Sequence, residues 1–162
     1  MSVIDDSGVL AIATRLMRLS EQFRKDGHQI YKEYDIDFEP KWFPVIYALH
    51  YKTQLSVVEI AAEIGYTHPS TISLLKELER QKLIRSGKDK SDERKRMIRL
   101  TEKGHDLVAE MQPVWQVFNA AIAELIDTKH NLMTAIIEVE ENFKEKSLLQ
   151  RARQHKARQQ KS

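Results

Sequence analysis

Cysteine is absent from the 162-residue sequence, which excludes disulfides, thiol catalysis, thiol-based redox sensing and cysteine-ligated zinc sites. No hydrophobic run approaches the ~20 residues that a membrane-spanning helix needs. The first residues include Asp5 and Asp6 and lack the basic start of a secretory signal peptide. These absences predict a cytoplasmic protein without a membrane partner, and the length suits a single domain.

Sequence motifs typical of enzymes are also missing. We find no glycine-rich phosphate loop, no G-x-S-x-G and no paired-carboxylate motif. The six histidines (28, 50, 68, 105, 130 and 155) include no i, i+4 pair of the kind that binds zinc on a helix. The sequence therefore predicts a protein that is not an enzyme and has no cofactor or metal site. A metal-responsive DNA-binding sensor stays open as an alternative, because ligands distant in sequence can converge in space.

Charge is unevenly distributed along the chain, although the net charge is only +2. Residues 66–104 hold 11 basic and 6 acidic side chains, a net of +5, and residues 144–162 hold 7 and 1, a net of +6. Between these two blocks, residues 105–143 have a net charge of -6, from 1 basic and 7 acidic side chains. Two basic blocks of this kind indicate a polyanionic partner.

Apolar spacing predicts helices over residues 9–34, 41–51, 57–64 and 68–81. Ser56 and Glu59 form a capping-box pattern, and Gly65 suits the position after the helix that they open. Thr67 is placed to cap the next helix, with Pro69 in its first turn.

After Leu83 the apolar pattern alternates, which predicts strands at Leu83–Ser86 and Arg96–Leu100 joined by a polar tip. A long helix follows to Ile126, and a last helix runs from Lys129 to Gln150 or beyond.

 Pro113 is expected to bend the long helix, because a proline inside a helix removes a hydrogen bond. Thr128 or Asp127 is expected to cap the last helix. Two helices joined by a short turn and followed by a hairpin predict a winged helix-turn-helix, mostly α with a small β-wing.

The helix after Thr67 has two distinct faces on a helical wheel. Its core-facing stripe holds Thr71, Leu74, Leu75 and Leu78. The opposite face carries small hydroxyls and bases, which suits contact with phosphates and base edges, although an ordinary amphipathic surface helix has the same pattern. The basic hairpin favours the first interpretation, because arginine is attracted to the negative potential of a narrow minor groove. The predicted DNA-contacting residues are His68, Pro69, Ser70, Ile72, Ser73, Lys76, Arg80, Lys88, Lys90, Arg94 and Arg96, with Asp92 as a brace for Arg94.

The stretch from Leu55 to Gly104 resembles the MarR family of winged helix-turn-helix regulators. The resemblance rests on Leu55–Ala61, Thr67–Thr71 and Leu83-Ile84, and on a wing with Asp92-x-Arg94 and Ile98-x-Leu100-Thr101-x-x-Gly104. Two positions depart from the pattern, since many members have glycine at Lys82 and arginine at Ser91. The resemblance implies one MarR-like domain over residues 1–162, with a DNA-binding lobe at 36–104 and dimerisation helices at 1–34 and 105–162. It also implies a transcriptional repressor.

A homodimer on a pseudo-palindromic duplex is therefore the expected working unit. The apolar residues expected to form its interface are Leu10, Leu16, Leu19, Trp115, Phe118, Ile122, Leu125, Leu132, Ile136, Ile137 and Phe143. A winged helix used only for protein contacts is the other alternative, but its outward face should be acidic or apolar. The basic tail from Lys144 has three interpretations: a solvated helix end, a cover for the partner's acidic segment, or an additional phosphate contact.

Eight of the twelve aromatic residues lie between Phe23 and Tyr51. They predict either a core that joins the dimer base to the DNA-binding lobe or a small-molecule pocket. In relatives, a crevice in this region accepts small aromatic anions, and its occupancy changes the spacing of the two DNA-binding lobes. The pocket candidates are Tyr31, Tyr34, Trp42, Tyr47 and His50, and a small aromatic ligand is the expected partner there.

Overall fold

The computed structural model describes residues 2–88 and 96–160. The chain divides into two compact units, Met1–Val114 and Trp115–Ser162. Within the described ranges, every helix is too short or too polar to cross a membrane.

The first unit begins with a short helix and a turn before its long helix. Helix α1 spans Val3–Asp6, a 3-10 turn spans Gly8–Ala11, and α2 spans Ile12–Glu33. The prediction of one continuous helix from Val9 is therefore wrong at its start. Gly8 has a φ of +62°, a left-handed conformation that an α-helix does not contain and that glycine adopts at little cost.

Three short helices follow, and capping side chains set the starts of the second and the third. Helix α3 spans Phe43–Lys52, α4 spans Val57–Ile64 and α5 spans His68–Arg80. The backbone N–H of Glu59 donates to Ser56 Oγ (3.3 Å), and the N–H of Ser56 donates to Glu59 Oε2 (2.7 Å). Gly65 ends α4 with a φ of +69°. The predicted capping box and glycine terminus are thus confirmed.

The sheet has three strands where the sequence predicted two. Strands β1 (Gln54–Ser56), β2 (Ile84–Lys88) and β3 (Arg96–Leu100) form an antiparallel sheet in the order β1-β3-β2. Strand β1 was missed because three residues are too few to display an alternating pattern, and because its partner lies more than 40 residues away at Ile98.

The core of the first unit lies between the inner face of this sheet and the helices around it. The stripe predicted for α5 is confirmed, since Thr71, Leu74, Leu75 and Leu78 are all buried. From the sheet, Leu55, Ile84, Ile98 and Leu100 are buried as well. Buried residues of α3 and of the helix after the sheet, α6 (Glu102–Ile126), complete this core, namely Val45, Ile46, Leu49, Val108 and Met111.

The C-terminal region consists of three helices rather than the predicted two. Helix α6 spans Glu102–Ile126 and contains Pro113, α7 spans Leu132–Glu145, and α8 spans Leu148–Gln159. Asn131, rather than Thr128 or Asp127, caps α7. The single last helix is wrong because Ser147 and Gln150 form a second capping box, which begins α8 as a new helix.

Candidate nucleic-acid interface

The outward face of α5 begins at a hydroxyl cap. The Ser70 N–H donates to Thr67 Oγ1 (3.3 Å), and the Thr67 hydroxyl donates to Ser70 Oγ (2.8 Å). Pro69 lies in the first turn, where its missing N–H leaves no helical hydrogen bond unmade. His68, Pro69, Ser70 and Ser73 are exposed, whereas Ile72 is half-buried. The hydroxyls therefore lie along one accessible face of the helix.

Lys76 and Arg80 continue this exposed face through the next two turns. Neither side chain makes an ion pair with another residue in ranges 2–88 and 96–160. The two acidic residues of α5 are engaged elsewhere, Glu77 with Lys41 and Glu79 with Arg96. The positive charge of the outward face is therefore available to an anionic partner.

Arg96 connects the wing to α5. Its Nη2 atom donates to Ser86 Oγ (2.6 Å) on β2 and to Glu79 Oε1 (3.1 Å) on α5. Its side chain is nevertheless 64% exposed. Arg96 was predicted as a DNA contact, and the structure adds a second task, which is to hold the start of β3 against β2 and α5.

The remaining wing residues are only partly within the described structure. Lys88 is exposed at the end of β2, opposite Arg96 on β3. Lys90, Asp92 and Arg94 lie outside the described residues, so their predicted roles as minor-groove contacts and brace stay predictions.

A polar contact that the sequence did not reveal holds α5 to the segment before α3. Trp42 Nε1 donates to Glu77 Oε1 (2.9 Å), and Lys41 Nζ lies 2.8 Å from the same oxygen. The hydrogen bond from Lys41 is the largest effect on the Glu77 carboxyl and, with that from Trp42, holds its pKa below the ordinary value of 4.5 in spite of desolvation. Because the partners lie 35 residues apart, no local pattern could have indicated this contact.

We expect Glu77→Ala to lower the free energy of unfolding by about 1–3 kcal/mol, because it leaves the buried Trp42 N–H without its acceptor. A depressed carboxyl pKa stabilises the fold above the unfolded-state value, and this stabilisation is lost as the pH falls through the folded-state value. The difference between wild type and Glu77→Gln, measured by urea unfolding, should therefore shrink below about pH 4. Glu63→Ala is the matched control, since the Glu63 pair with Lys52 is exposed. An equal loss in both alanine variants would contradict this role of Glu77.

The five pocket candidates fall into two sets of ring contacts and one separate residue. Tyr31 and Trp42 are buried and pack against Phe38. The ring centroid of Phe38 lies 4.9 Å from that of Tyr31 and 5.6 Å from that of Trp42. Tyr47 and His50 each pack against Tyr51 at 4.8 Å. Tyr34 is exposed at the end of α2. The linking rings Phe38 and Tyr51 were not among the predicted residues.

The second set is accessible on one side of α3. Phe43, Tyr47 and Tyr51 are all at least one-third exposed and follow one another at i, i+4 spacing. The hydrogen bond with Tyr51 raises the pKa of the Tyr47 hydroxyl. This aromatic face offers stacking surface and a phenol donor to a ligand with a ring and an anionic group.

The predicted dimer residues keep accessible surface in both units. In the first unit, Leu10, Leu16 and Leu19 are exposed by 87%, 45% and 46%. In the second, all eight predicted residues are exposed or half-buried. Apolar surface of this extent is typical of a face that another chain covers.

No group of three histidine, aspartate or glutamate residues within the described ranges is arranged to hold a metal ion.

A helix-turn-helix followed by a winged hairpin is therefore present, and known proteins share it. The model of the MarR family matches residues 36–95. We call this matched stretch, residues 36–95, the MarR segment. The match contains β1, α3 to α5 and β2, so the MarR segment includes the whole exposed face of α5.

Solved structures confirm the fold around the MarR segment. The MepR–DNA complex of S. aureus is 21% identical, with a TM-score of 0.65, over 80% of this chain and 94% of that one. A mutant E. coli MarR with operator DNA is 16% identical, with a TM-score of 0.61, over 82% and 96%. NadR with 4-hydroxyphenylacetate is 20% identical, with a TM-score of 0.57, over 85% and 92%. At these identities the likeness establishes the winged-helix fold.

Proposed function

We propose that the chain is a transcriptional regulator, acting as a repressor, that binds duplex DNA as a homodimer. The observation that carries this proposal is the outward face of α5, where hydroxyls and two cations without ion pairs among the described residues lie together. The solved complexes of MepR and MarR with DNA support it, because both share this fold. In the proposed complex α5 enters the major groove and the wing reaches the adjacent minor groove.

The experiment that tests DNA binding is titration of a labelled duplex of mixed sequence at several salt concentrations. Each neutralised phosphate contributes about 0.9 to the slope of log affinity against log salt. We expect measurable binding at low salt and a steep slope. A protein that binds no duplex at low salt would refute the proposal.

Dimerisation is expected because a pseudo-palindromic site presents two half-sites about 34 Å apart, one for each α5 helix. The exposed apolar residues of both units support it. Light scattering at micromolar concentration should give the mass of two chains. Ile137→Glu, which places a charge on the exposed apolar surface of α7, should reduce that mass towards one chain and weaken DNA binding. A single-chain mass for the wild type would contradict the homodimer.

We also propose that a small aromatic anion releases the protein from DNA. The accessible aromatic face of α3 supports this, as does the fold shared with NadR, whose structure contains 4-hydroxyphenylacetate. A ligand changes DNA affinity only if it prefers the conformation that does not bind DNA. Salicylate should therefore raise the melting temperature and weaken DNA binding, and Tyr47→Ala should reduce both effects. If salicylate changes neither quantity in the wild type, the aromatic residues are structural.

A further inference from the structure

Two arginines face each other across the outer side of the wing sheet. In the register of the sheet, Arg85 on β2 lies opposite Arg99 on β3, and Arg99 lies opposite Gln54 on β1. Directly opposed residues of antiparallel strands point to the same face, with their Cβ atoms about 5 Å apart. The side chains of Arg85, Arg99 and Gln54 therefore leave the sheet on one face, from one row of positions across three strands.

Neither of these arginines is neutralised within the described structure. Among residues 2–88 and 96–160, Arg85 and Arg99 make no ion pair and no side-chain hydrogen bond, whereas Arg96 on the opposite face has both. Like charges directly opposed on a sheet destabilise it. The row thus carries an electrostatic cost that a single acidic residue at position 85 would remove.

The Arg99 side chain runs along the sheet beside Gly87. Arg99 Nη2 lies 3.8 Å from the position that a Cβ of Gly87 would occupy. The guanidinium therefore extends over Gly87, towards the end of β2, while Arg85 is exposed beside it. Both cations therefore lie on one face of the sheet.

We propose that Arg85 and Arg99, with the Gln54 amide, bind a backbone phosphate of the duplex outside the base pairs that α5 reads. This inference rests on the proposed DNA-binding function. A guanidinium presents a planar fork of donors that matches phosphate oxygens. An exposed arginine beside a half-buried one holds a free anion weakly, because water screens the charges. The same pair adds affinity for a polyanion that other groups already hold, because each neutralised phosphate releases counterions.

Arg85→Glu separates this role from a structural one. The substitution replaces a like-charged pair by an opposite-charged pair with Arg99, so we expect the melting temperature to rise. The same substitution should weaken binding to every duplex by a similar factor. It should make the salt slope shallower by about 2, because each of the two protomers loses one phosphate contact. Arg85→Gln should lie between wild type and Arg85→Glu in both measurements.

Arg15→Glu is the matched control, because it changes the net charge equally at an exposed residue of α2 that has no ion pair with the described residues. If Arg85→Glu and Arg15→Glu have the same salt slope, the phosphate contact is refuted. A lower melting temperature for Arg85→Glu would also refute it, since the arginine would then stabilise the fold.

Inorganic phosphate tests whether the two arginines bind a free oxyanion instead of a DNA phosphate. If phosphate alone raises the melting temperature of the wild type but not of Arg85→Glu, and the DNA salt slopes are equal, the site binds a free oxyanion and the proposal is wrong. A wild type that binds no duplex would instead refute the proposed function itself, before any variant is compared.

Discussion

Gly104→Ala should lower the free energy of unfolding by about 3 kcal/mol, because its new methyl group would collide with backbone. A Cβ at this position would lie 2.2 Å from the carbonyl oxygen of Leu83 and 3.3 Å from Leu100 Cδ2. The Leu83 oxygen cannot easily withdraw, since it accepts the backbone N–H of Thr101 (3.0 Å). Intrinsic helix propensity favours alanine over glycine by about 1 kcal/mol, so the expected loss is opposite in sign to the local preference.

Urea unfolding of Gly104→Ala and Gly87→Ala measures this effect with a control. At Gly87 an added Cβ meets only Arg99 Nη2 at 3.8 Å, which is ordinary van der Waals contact. We expect Gly87→Ala to remain within about 0.5 kcal/mol of the wild type. A Gly104→Ala protein as stable as Gly87→Ala would contradict the close approach of α6 to Leu83.

This contact also gives a physical reason for the Leu100-Thr101-x-x-Gly104 pattern. Thr101 Oγ1 donates to the carbonyl oxygen of Lys82 (2.6 Å) and accepts the N–H of Gly104 (3.1 Å). The threonine begins α6 and ties it to the turn after α5, and the glycine lets the two backbones approach. The pattern thus fixes the start of α6 to the winged helix-turn-helix of the first unit.

The double variant Lys76→Ala/Arg80→Ala should bind DNA far more weakly than the wild type. If each cation neutralises one phosphate in each protomer of the homodimer, four phosphate contacts are lost and the salt slope should become shallower by about 3.6. Both side chains are exposed and make no ion pair with the described residues, so stability should change by less than about 0.5 kcal/mol. Fluorescence anisotropy of a labelled duplex at several salt concentrations measures both affinity and slope.

Arg15→Ala/Lys32→Ala is the matched control for this variant, because it removes two exposed cations of α2. We expect its slope to remain close to that of the wild type. Equal slopes for the two double variants would contradict a DNA-binding role for the outward face of α5.

Sequence alone predicts the helix-turn-helix well because its signals are local. Ser56, Gly65 and Thr67 set the ends of α4 and α5 through contacts within a few residues, and the buried stripe of α5 follows from helical periodicity. The capping box at Ser147 is equally local, and its S-x-x-Q spacing was a signal for the separate helix α8. The break between α7 and α8 is therefore encoded locally by this capping box and not by long-range contacts.

The contacts that position the candidate site could not be predicted in this way. Glu77 meets Trp42 across 35 residues, and Arg96 meets Glu79 only once the hairpin packs beside α5. Arg85 and Arg99 become neighbours only in the register of the sheet. Such pairs depend on tertiary packing, so a sequence pattern identifies the charged residues but not which of them are already engaged.

Selection of bound DNA from a random pool tests the central claim most directly. A homodimer with one α5 helix in each of two successive major grooves should enrich an inverted repeat with half-sites about 10 base pairs apart, centre to centre. The Lys76→Ala/Arg80→Ala variant should enrich this repeat less or not at all. Enrichment of no sequence, or of a single half-site without a repeat, would contradict the account.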